Sequence, residues 1–149
     1  MEKEHWGYKE VGYKYTTGTR FITATEVDIF CDISGMRADV FISDEVAKAS
    51  GARGRVVPGP LLMGIVFGLL GETGLTSSGM LLGVNNTKFN VLVYPYDEVR
   101  LEGEILNKKV TSKGDRVIVT YSWSMRNQDD VVVAQGENAC ISPNPEWTG

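Results

Sequence analysis

The chain has 149 residues, a formal net charge of −4 and 42% hydrophobic residues. This length suits one domain, spanning residues 1–149, that buries a core without help from disulfides or metal. Acidic and basic side chains are mixed along the chain without any run of five or six lysines or arginines, which argues against a nucleic-acid surface or a basic membrane-binding patch. We therefore expect small molecules or proteins as partners.

Two further features bear on location and cofactors. The first residues lack the basic-then-apolar pattern of a signal peptide, and the apolar run at residues 61–70 is too short to cross a bilayer. Cys31 and Cys140 are isolated, with neither a CxxC spacing nor the companions that zinc needs. We expect a cytoplasmic protein with two buried thiols, no metal and no cofactor.

The first predicted elements are a short strand and two helices. A strand is predicted at residues 19–22. Thr23 and Glu26 then have the spacing of a capping box, which opens a helix, and Gly35 fits the left-handed residue that ends many helices. Ser43 predicts the start of a second, short helix in the same half of the chain.

The next element is an apolar helix with no polar face. Gly59 and Pro60 form a tight turn that opens directly into it, since proline is tolerated in a first helical turn. The free amides at such a helix start form a site for an anion or a polarised carbonyl oxygen. Gly64, Gly68 and Gly71 are spaced for close packing of this helix against a sheet.

The remainder of the chain has a β pattern. Strands are predicted at residues 80–84, 88–93, 99–106, 116–125 and 131–141, with a hairpin turn at 127–130. Long antiparallel strands with one buried face need a cover, and only the helix after Pro60 is long and apolar enough to supply it. The sequence therefore predicts an α+β fold in which a curved antiparallel sheet wraps around one central helix.

The order of these motifs resembles that of the MaoC-like hot dog dehydratases. The shared features are a Thr-x-Thr-x-x-Asp helix ending at Gly35, the segment 55–59 opening a central helix, and Phe89 followed by the segment 93–99. The resemblance extends from about residue 17 to residue 141. It implies a hot dog fold, a dimer whose sheets join edge to edge, and a thioester-binding tunnel at the interface. Relatives hydrate trans-2-enoyl-CoA or dehydrate (R)-3-hydroxyacyl-CoA.

The resemblance also implies a pair of catalytic residues that this chain lacks. Relatives carry an Asp directly after the helix-ending Gly and a His five residues further on, where this chain has Met36 and Phe41. Neither side chain transfers a proton. Asp39 is the acid on that loop that could lean into the site, and it is the candidate catalytic residue. His5, the only histidine, lies outside the resemblance, and we expect it to be an exposed surface side chain.

The binding part of the site is better preserved. Pro58 and Gly59 stand where relatives commonly carry His-Gly, and the Gly59 amide could still point at a thioester oxygen. Met36 and Phe41 are expected to line the acyl side of the tunnel. Asn85 could offer hydrogen bonds to substrate, although a role in a bulge explains it equally well. The carboxylates outside the loop are interpreted as solvated turn residues, namely Glu72, Asp97 and Glu98.

Two functions remain open at this point. The chain could be a degenerate hot dog subunit that binds an acyl-CoA or acyl carrier protein thioester and partners a catalytic protomer. It could instead be an active hydratase, dehydratase or thioesterase that uses non-standard residues. The first function accounts directly for Met36 and Phe41, because a partner protomer would supply the proton-transfer groups. Either function predicts a homodimer or a heterodimer with a second hot dog protein.

Overall fold

The computed structural model describes residues 4–149 and confirms the predicted α+β architecture: one open antiparallel sheet of six strands packs against a central helix. A short 3-10 turn at Trp6–Tyr8 precedes the sheet. The strands are β1 (Lys14–Thr16), β2 (Arg20–Phe21), β3 (Met80–Phe89), β4 (Glu98–Val110), β5 (Arg116–Arg126) and β6 (Val132–Pro143). The helices are α1 (Ala24–Ser34), α2 (Asp39–Ile42), α3 (Asp44–Ala49) and α4 (Gly59–Thr73).

The sheet has the strand order β1-β4-β5-β6-β3, and β2 pairs with one end of β4. Its inner face is set by the period-two alternation of β5, on which every second side chain is buried. These inward-facing residues are Val117, Val119, Tyr121, Trp123 and Met125. Strand β3 ends the order, so one side of this ten-residue strand has no neighbour among the described residues.

Helix α4 is the centre of the core. Leu62, Ile65, Val66 and Leu69 are each 3% exposed or less, which confirms that the apolar run is covered by the sheet. The helix ends at Gly74, whose φ of 82° is the left-handed conformation that favours glycine.

The prediction that the helix glycines pack against the sheet is wrong. Gly64, Gly68 and Gly71 lie on an exposed side of α4, where a Cβ atom would meet no other atom within 4 Å. One face of the helix is therefore left open by this chain.

The predicted helix ends are confirmed in detail. Thr23 and Glu26 form a capping box, with the Thr23 hydroxyl accepting the Glu26 N–H and the Glu26 carboxylate accepting the Thr23 N–H. Gly35 ends α1 with a φ of 74°. Ser43 caps α3 by accepting the Val46 N–H at 3.2 Å. These caps place the loop between α1 and α3, which contains the short helix α2.

The largest departure from the predicted elements is in β3. Two strands were expected, but one strand runs from Met80 to Phe89 and changes register between Asn85 and Lys88. Asn86 lies within this irregularity with a φ of 53°, a conformation that asparagine tolerates better than most residues. The bulge that the sequence offered as one role for Asn85 is thus present at this point of a continuous strand.

The two cysteines are free and buried, as predicted. Burial raises the pKa of the Cys140 thiol to about 11. Within residues 4–149, no helix is long and apolar enough to cross a membrane.

Candidate functional site

The loop that follows α1 is held in place by Arg55. The Arg55 Nε donates to the Phe41 carbonyl at 3.0 Å, and its guanidinium pairs with Asp28 on α1. The backbone N–H of Arg55 donates to the Asp44 carboxylate at 2.8 Å. One arginine therefore connects α1, the loop and the segment leading into α4.

The residues predicted to line the acyl side lie on this loop. Met36 is half-buried, and its N–H donates to the Ser34 hydroxyl at 3.1 Å. Phe41 is half-buried and packs against the hydrophobic core. Asp39 is exposed in the single turn of α2. The loop thus packs Phe41 against the core and leaves its acid exposed to solvent.

The start of α4 is positioned by two backbone hydrogen bonds. Val56 donates to the Val40 carbonyl at 3.0 Å, and Val57 donates to the Val93 carbonyl at 2.8 Å. Pro58 is the N-cap, and its carbonyl accepts the N–H groups of Leu61 and Leu62. These hydrogen bonds place the start of α4 between the loop after α1 and the segment after β3.

Gly59 carries the free donor of this helix start. Its N–H has no acceptor among the described residues, and Pro60 has no N–H to offer. The ring of Phe89 faces Gly59 closely, because a Cβ added to Gly59 would lie 3.0 Å from the Phe89 Cζ. The partial positive charge at a helix start makes such an amide able to polarise a carbonyl oxygen.

The structure does not bring Asn85 to the start of α4. Asn85 is exposed and pairs with Glu137 on β6. It precedes Phe89 by four strand positions, which is about 13 Å at the usual rise of a strand. Within one chain, Asn85 therefore does not directly contact a group bound at Gly59.

His5 is buried, so the expectation of an exposed surface side chain is wrong. It is 8% exposed, and its Nδ1 accepts the Gly7 N–H at 3.0 Å, which caps the 3-10 turn. The neighbouring Trp6 donates its N–H to the Leu75 carbonyl, just beyond the far end of α4. The length of α4, about 20 Å, therefore separates His5 from Gly59. This distance is too long for His5 to transfer a proton at Gly59.

Asp97 is also buried, which corrects its interpretation as a solvated turn residue. It is 4% exposed and accepts the Tyr94 N–H at 2.9 Å. Its other oxygen accepts from Arg53 at 3.2 Å and from Gln128 at 3.0 Å. Asp97 is fully engaged in holding three chain segments together, while Glu72 is exposed as expected.

Two arginines near the loop are paired within the chain. Arg20 pairs with Glu26, and Arg37 pairs with Asp32. Within residues 4–149, no group of three or more histidine, cysteine, aspartate or glutamate side chains is arranged to hold a metal ion. The loop therefore combines a paired arginine, Arg37, with the exposed acid Asp39.

Sequence reasoning missed the roles of Arg55 and Phe89. Both residues belong to segments that carried the family resemblance, but their partners lie far away in the chain. The only available signal was that the small Gly59 leaves room for a close neighbour.

The sequence profile described as the MaoC like domain matches residues 8–126. Among solved structures, the (R)-hydratase from A. caviae involved in PHA biosynthesis is 25% identical, with a TM-score of 0.75 over 89% of this chain and 96% of that chain. The ChsH1–ChsH2 complex from Mycobacterium tuberculosis is 17% identical, with a TM-score of 0.73 over 90% and 98%. No curated protein matches the sequence.

A third solved structure relates the chain to a longer protein. A conserved hypothetical protein from Mycobacterium tuberculosis, described as having a double hot dog fold, is 12% identical with a TM-score of 0.85. The match covers 99% of this chain and 47% of that protein. The fold of this chain is therefore the hot dog fold, and it corresponds to about half of the double form.

Proposed function

This chain belongs to the MaoC-like domain family, and we propose that it binds acyl-CoA-type thioesters as a subunit that partners a catalytic enoyl-CoA hydratase or dehydratase protomer. The observation that carries the proposal is the pair Met36 and Phe41. They occupy the two positions where the family resemblance places an acid and a base, and both are half-buried and apolar. General acid–base catalysis needs a titratable group at these places.

The thioester-binding half of the proposal is supported at the start of α4. The Gly59 N–H is free, and the helix dipole adds positive potential where a carbonyl oxygen would sit. Phe41 and the half-buried Met36 are apolar residues of the loop that Val40 connects to the segment leading into α4. The free N–H suits the thioester carbonyl, and the apolar side chains suit the first carbons of the acyl chain. The carrier of that chain would be CoA or acyl carrier protein.

The partner half of the proposal is supported by the open edge of the sheet. Strand β3 exposes Met80, Leu82 and Val84, whose side chains are 69%, 54% and 42% exposed. An unpaired strand edge with apolar side chains favours pairing with another chain. The open glycine face of α4 is a second surface that this chain leaves uncovered. We propose that a second hot dog protomer, identical or not, covers both.

Enzyme assays and calorimetry test the binding and catalytic statements. The purified chain should bind crotonyl-CoA but hydrate it at least about 10²-fold more slowly than an ordinary hydratase, because the acid–base pair is absent. The double variant Met36→Asp and Phe41→His should gain measurable hydratase activity if the loop keeps its geometry. Ordinary turnover by the unmodified chain would overturn the proposal, and its loss in Asp39→Asn would favour an active enzyme that uses Asp39.

Light scattering tests the partner statement. The unmodified chain, alone or with a catalytic hot dog protein, should form a dimer that Val84→Lys disrupts. Val110→Lys is the matched control, because Val110 is 55% exposed on β4 rather than on the open edge. A monomer in both the absence and the presence of the catalytic protein would contradict the proposed subunit role.

A further inference from the structure

A small cavity lies beside the C-terminal half of α4, between that helix and strands β3 and β6. Its volume is about 70 Å³. The residues that form most of its wall are Trp6, Phe67, Leu81, Tyr121, Cys140 and Ser142. Phe67 follows Gly59 by eight positions, so about 12 Å of helix separates this cavity from the start of α4.

The hydroxyl residues Thr76 and Ser78 lie on the more exposed side of the cavity wall, and two further polar groups of the wall are buried. The Trp6 Nε1–H and the Ser142 hydroxyl have no hydrogen-bond partner among the described residues, and the two side chains are 0% and 1% exposed. The Cys140 thiol beside Ser142 is protonated at neutral pH and is at most a weak partner. Buried donors are nearly always satisfied in folded proteins, so an oxygen atom is expected in the cavity.

Trp6 is held firmly in the wall of the cavity. Its ring stacks on Tyr121 with a centroid distance of 4.2 Å and an interplanar angle of 19°. Its backbone N–H donates to the Leu75 carbonyl at 2.9 Å. Because these contacts leave the indole no freedom to turn towards solvent, the Nε1–H is preorganised for a bound acceptor.

We propose that this cavity binds the distal end of an acyl chain that carries a keto or hydroxyl oxygen, which accepts a hydrogen bond from Trp6 and pairs with Ser142. This inference rests on the proposed function in taking the ligand to be an acyl thioester. A carbonyl oxygen has two lone pairs and can satisfy both donors at once. The volume of about 70 Å³ suits the last few heavy atoms of an acyl chain.

Calorimetry with paired ligands tests the inference on the unmodified protein. The pairs are hexanoyl-CoA with 5-oxohexanoyl-CoA, octanoyl-CoA with 7-oxooctanoyl-CoA, and decanoyl-CoA with 9-oxodecanoyl-CoA. In the pair whose length reaches the cavity, the oxo chain should bind about tenfold more tightly. Equal affinities within every pair would overturn the inference and would indicate that water occupies the cavity.

Two tryptophan variants assign the preference to the cavity. Trp6→Phe should abolish the preference for the oxo chain, and Ser142→Ala should reduce it. Trp123→Phe is the matched control, because Trp123 is equally buried and its Nε1 also lacks a partner, but it is not part of this cavity wall. Loss of the preference in Trp123→Phe to the same extent would contradict the assignment.

A small probe separates this inference from the proposed function. Titration with butan-2-one should shift the indole N–H resonance of Trp6 in a saturable way and leave that of Trp123 unchanged. If no acyl-CoA binds but this shift is seen, the proposed thioester function fails and the polar cavity stands. If acyl-CoA binds but neither the shift nor the oxo preference is seen, the function stands and the cavity inference fails.

Discussion

The ring of Phe89 lies against the backbone of Gly59, so the end of β3 and the start of α4 fix each other's position. A Cβ atom added to Gly59 would lie 3.0 Å, 3.2 Å and 3.3 Å from three carbons of that ring. These distances are shorter than ordinary van der Waals contact. A side chain at position 59 would therefore displace the Phe89 ring by a few tenths of an ångström, independently of any role in binding.

The first prediction is that Gly59→Ala destabilises the protein and weakens thioester binding. The extra methyl group forces the Phe89 ring aside, which should lower the free energy of unfolding by about 1–3 kcal/mol. Gly18→Ala is the control, because its Cβ would point into open space and Gly18 lies away from the proposed partner surfaces. That control should raise the free energy of unfolding by about 0.4–1 kcal/mol. Urea denaturation measures both, and equal stabilities of the two variants would contradict the packing argument.

The second prediction concerns Arg55. Lysine cannot keep both the hydrogen bond to the Phe41 carbonyl and the pairing with Asp28, since it lacks the planar fork of donors. Arg55→Lys should lower stability by about 1–2 kcal/mol and increase amide hydrogen exchange in α2. Arg37→Lys is the control, because Arg37 pairs with Asp32 at an exposed position. Unchanged exchange at Ser43 in Arg55→Lys would show that the loop is held by other contacts.

The third prediction concerns the buried carboxylate of Asp97. Asn at this position has only one acceptor oxygen and turns an amide donor towards Arg53, Gln128 or the Tyr94 N–H. We expect Asp97→Asn to lower the free energy of unfolding by about 2–3 kcal/mol, whereas Asp130→Asn, at an exposed ion pair, should lower it by less than about 1 kcal/mol. Chemical denaturation compares the two, and similar small losses would argue against a structural role for Asp97.

The sequence predicted those elements whose signals are local. The capping box of Thr23 and Glu26, the glycine after α1 and the apolar run of α4 each lie within a few residues and were found correctly. The alternation of β5 was equally clear. In β3 the local signal was ambiguous, because the polar residues after Val84 divide the pattern into two predicted strands, whereas pairing with β6 keeps one strand continuous through a bulge.

The features that were missed depend on residues distant in the chain. His5 is buried because the adjoining Gly7 packs against the Pro143 carbonyl, and Trp6 bonds to Leu75. Asp97 is buried because Arg53 and Gln128 meet it from other loops. From sequence alone, polar residues are predicted to be exposed. Their burial depends on hydrogen-bond partners from distant parts of the chain, which the sequence does not identify. The role assigned to Met36 and Phe41 rests on the family resemblance and stays a prediction.

The last prediction is a dependence of stability on the pH that comes from His5. Burial lowers the pKa of His5 below its ordinary value of 6.5, and the acceptor Nδ1 requires a neutral ring. The unfolded chain therefore binds the proton first as the pH falls. The stabilisation that neutral His5 contributes is therefore fully present above about pH 6.5. Below that pH the free energy of unfolding decreases, by at most about 1.4 kcal/mol per pH unit.

His5→Asn is the variant that isolates this effect, because an asparagine oxygen can still accept the Gly7 N–H as an N-cap but does not titrate. Urea denaturation followed by tryptophan fluorescence at pH 7, 6 and 5 gives the free energy of unfolding of both proteins. We expect the decrease between pH 7 and pH 5 to be smaller in His5→Asn, since the carboxylates titrate alike in both. Parallel decreases would mean that His5 is protonated as readily in the folded protein as in the unfolded chain.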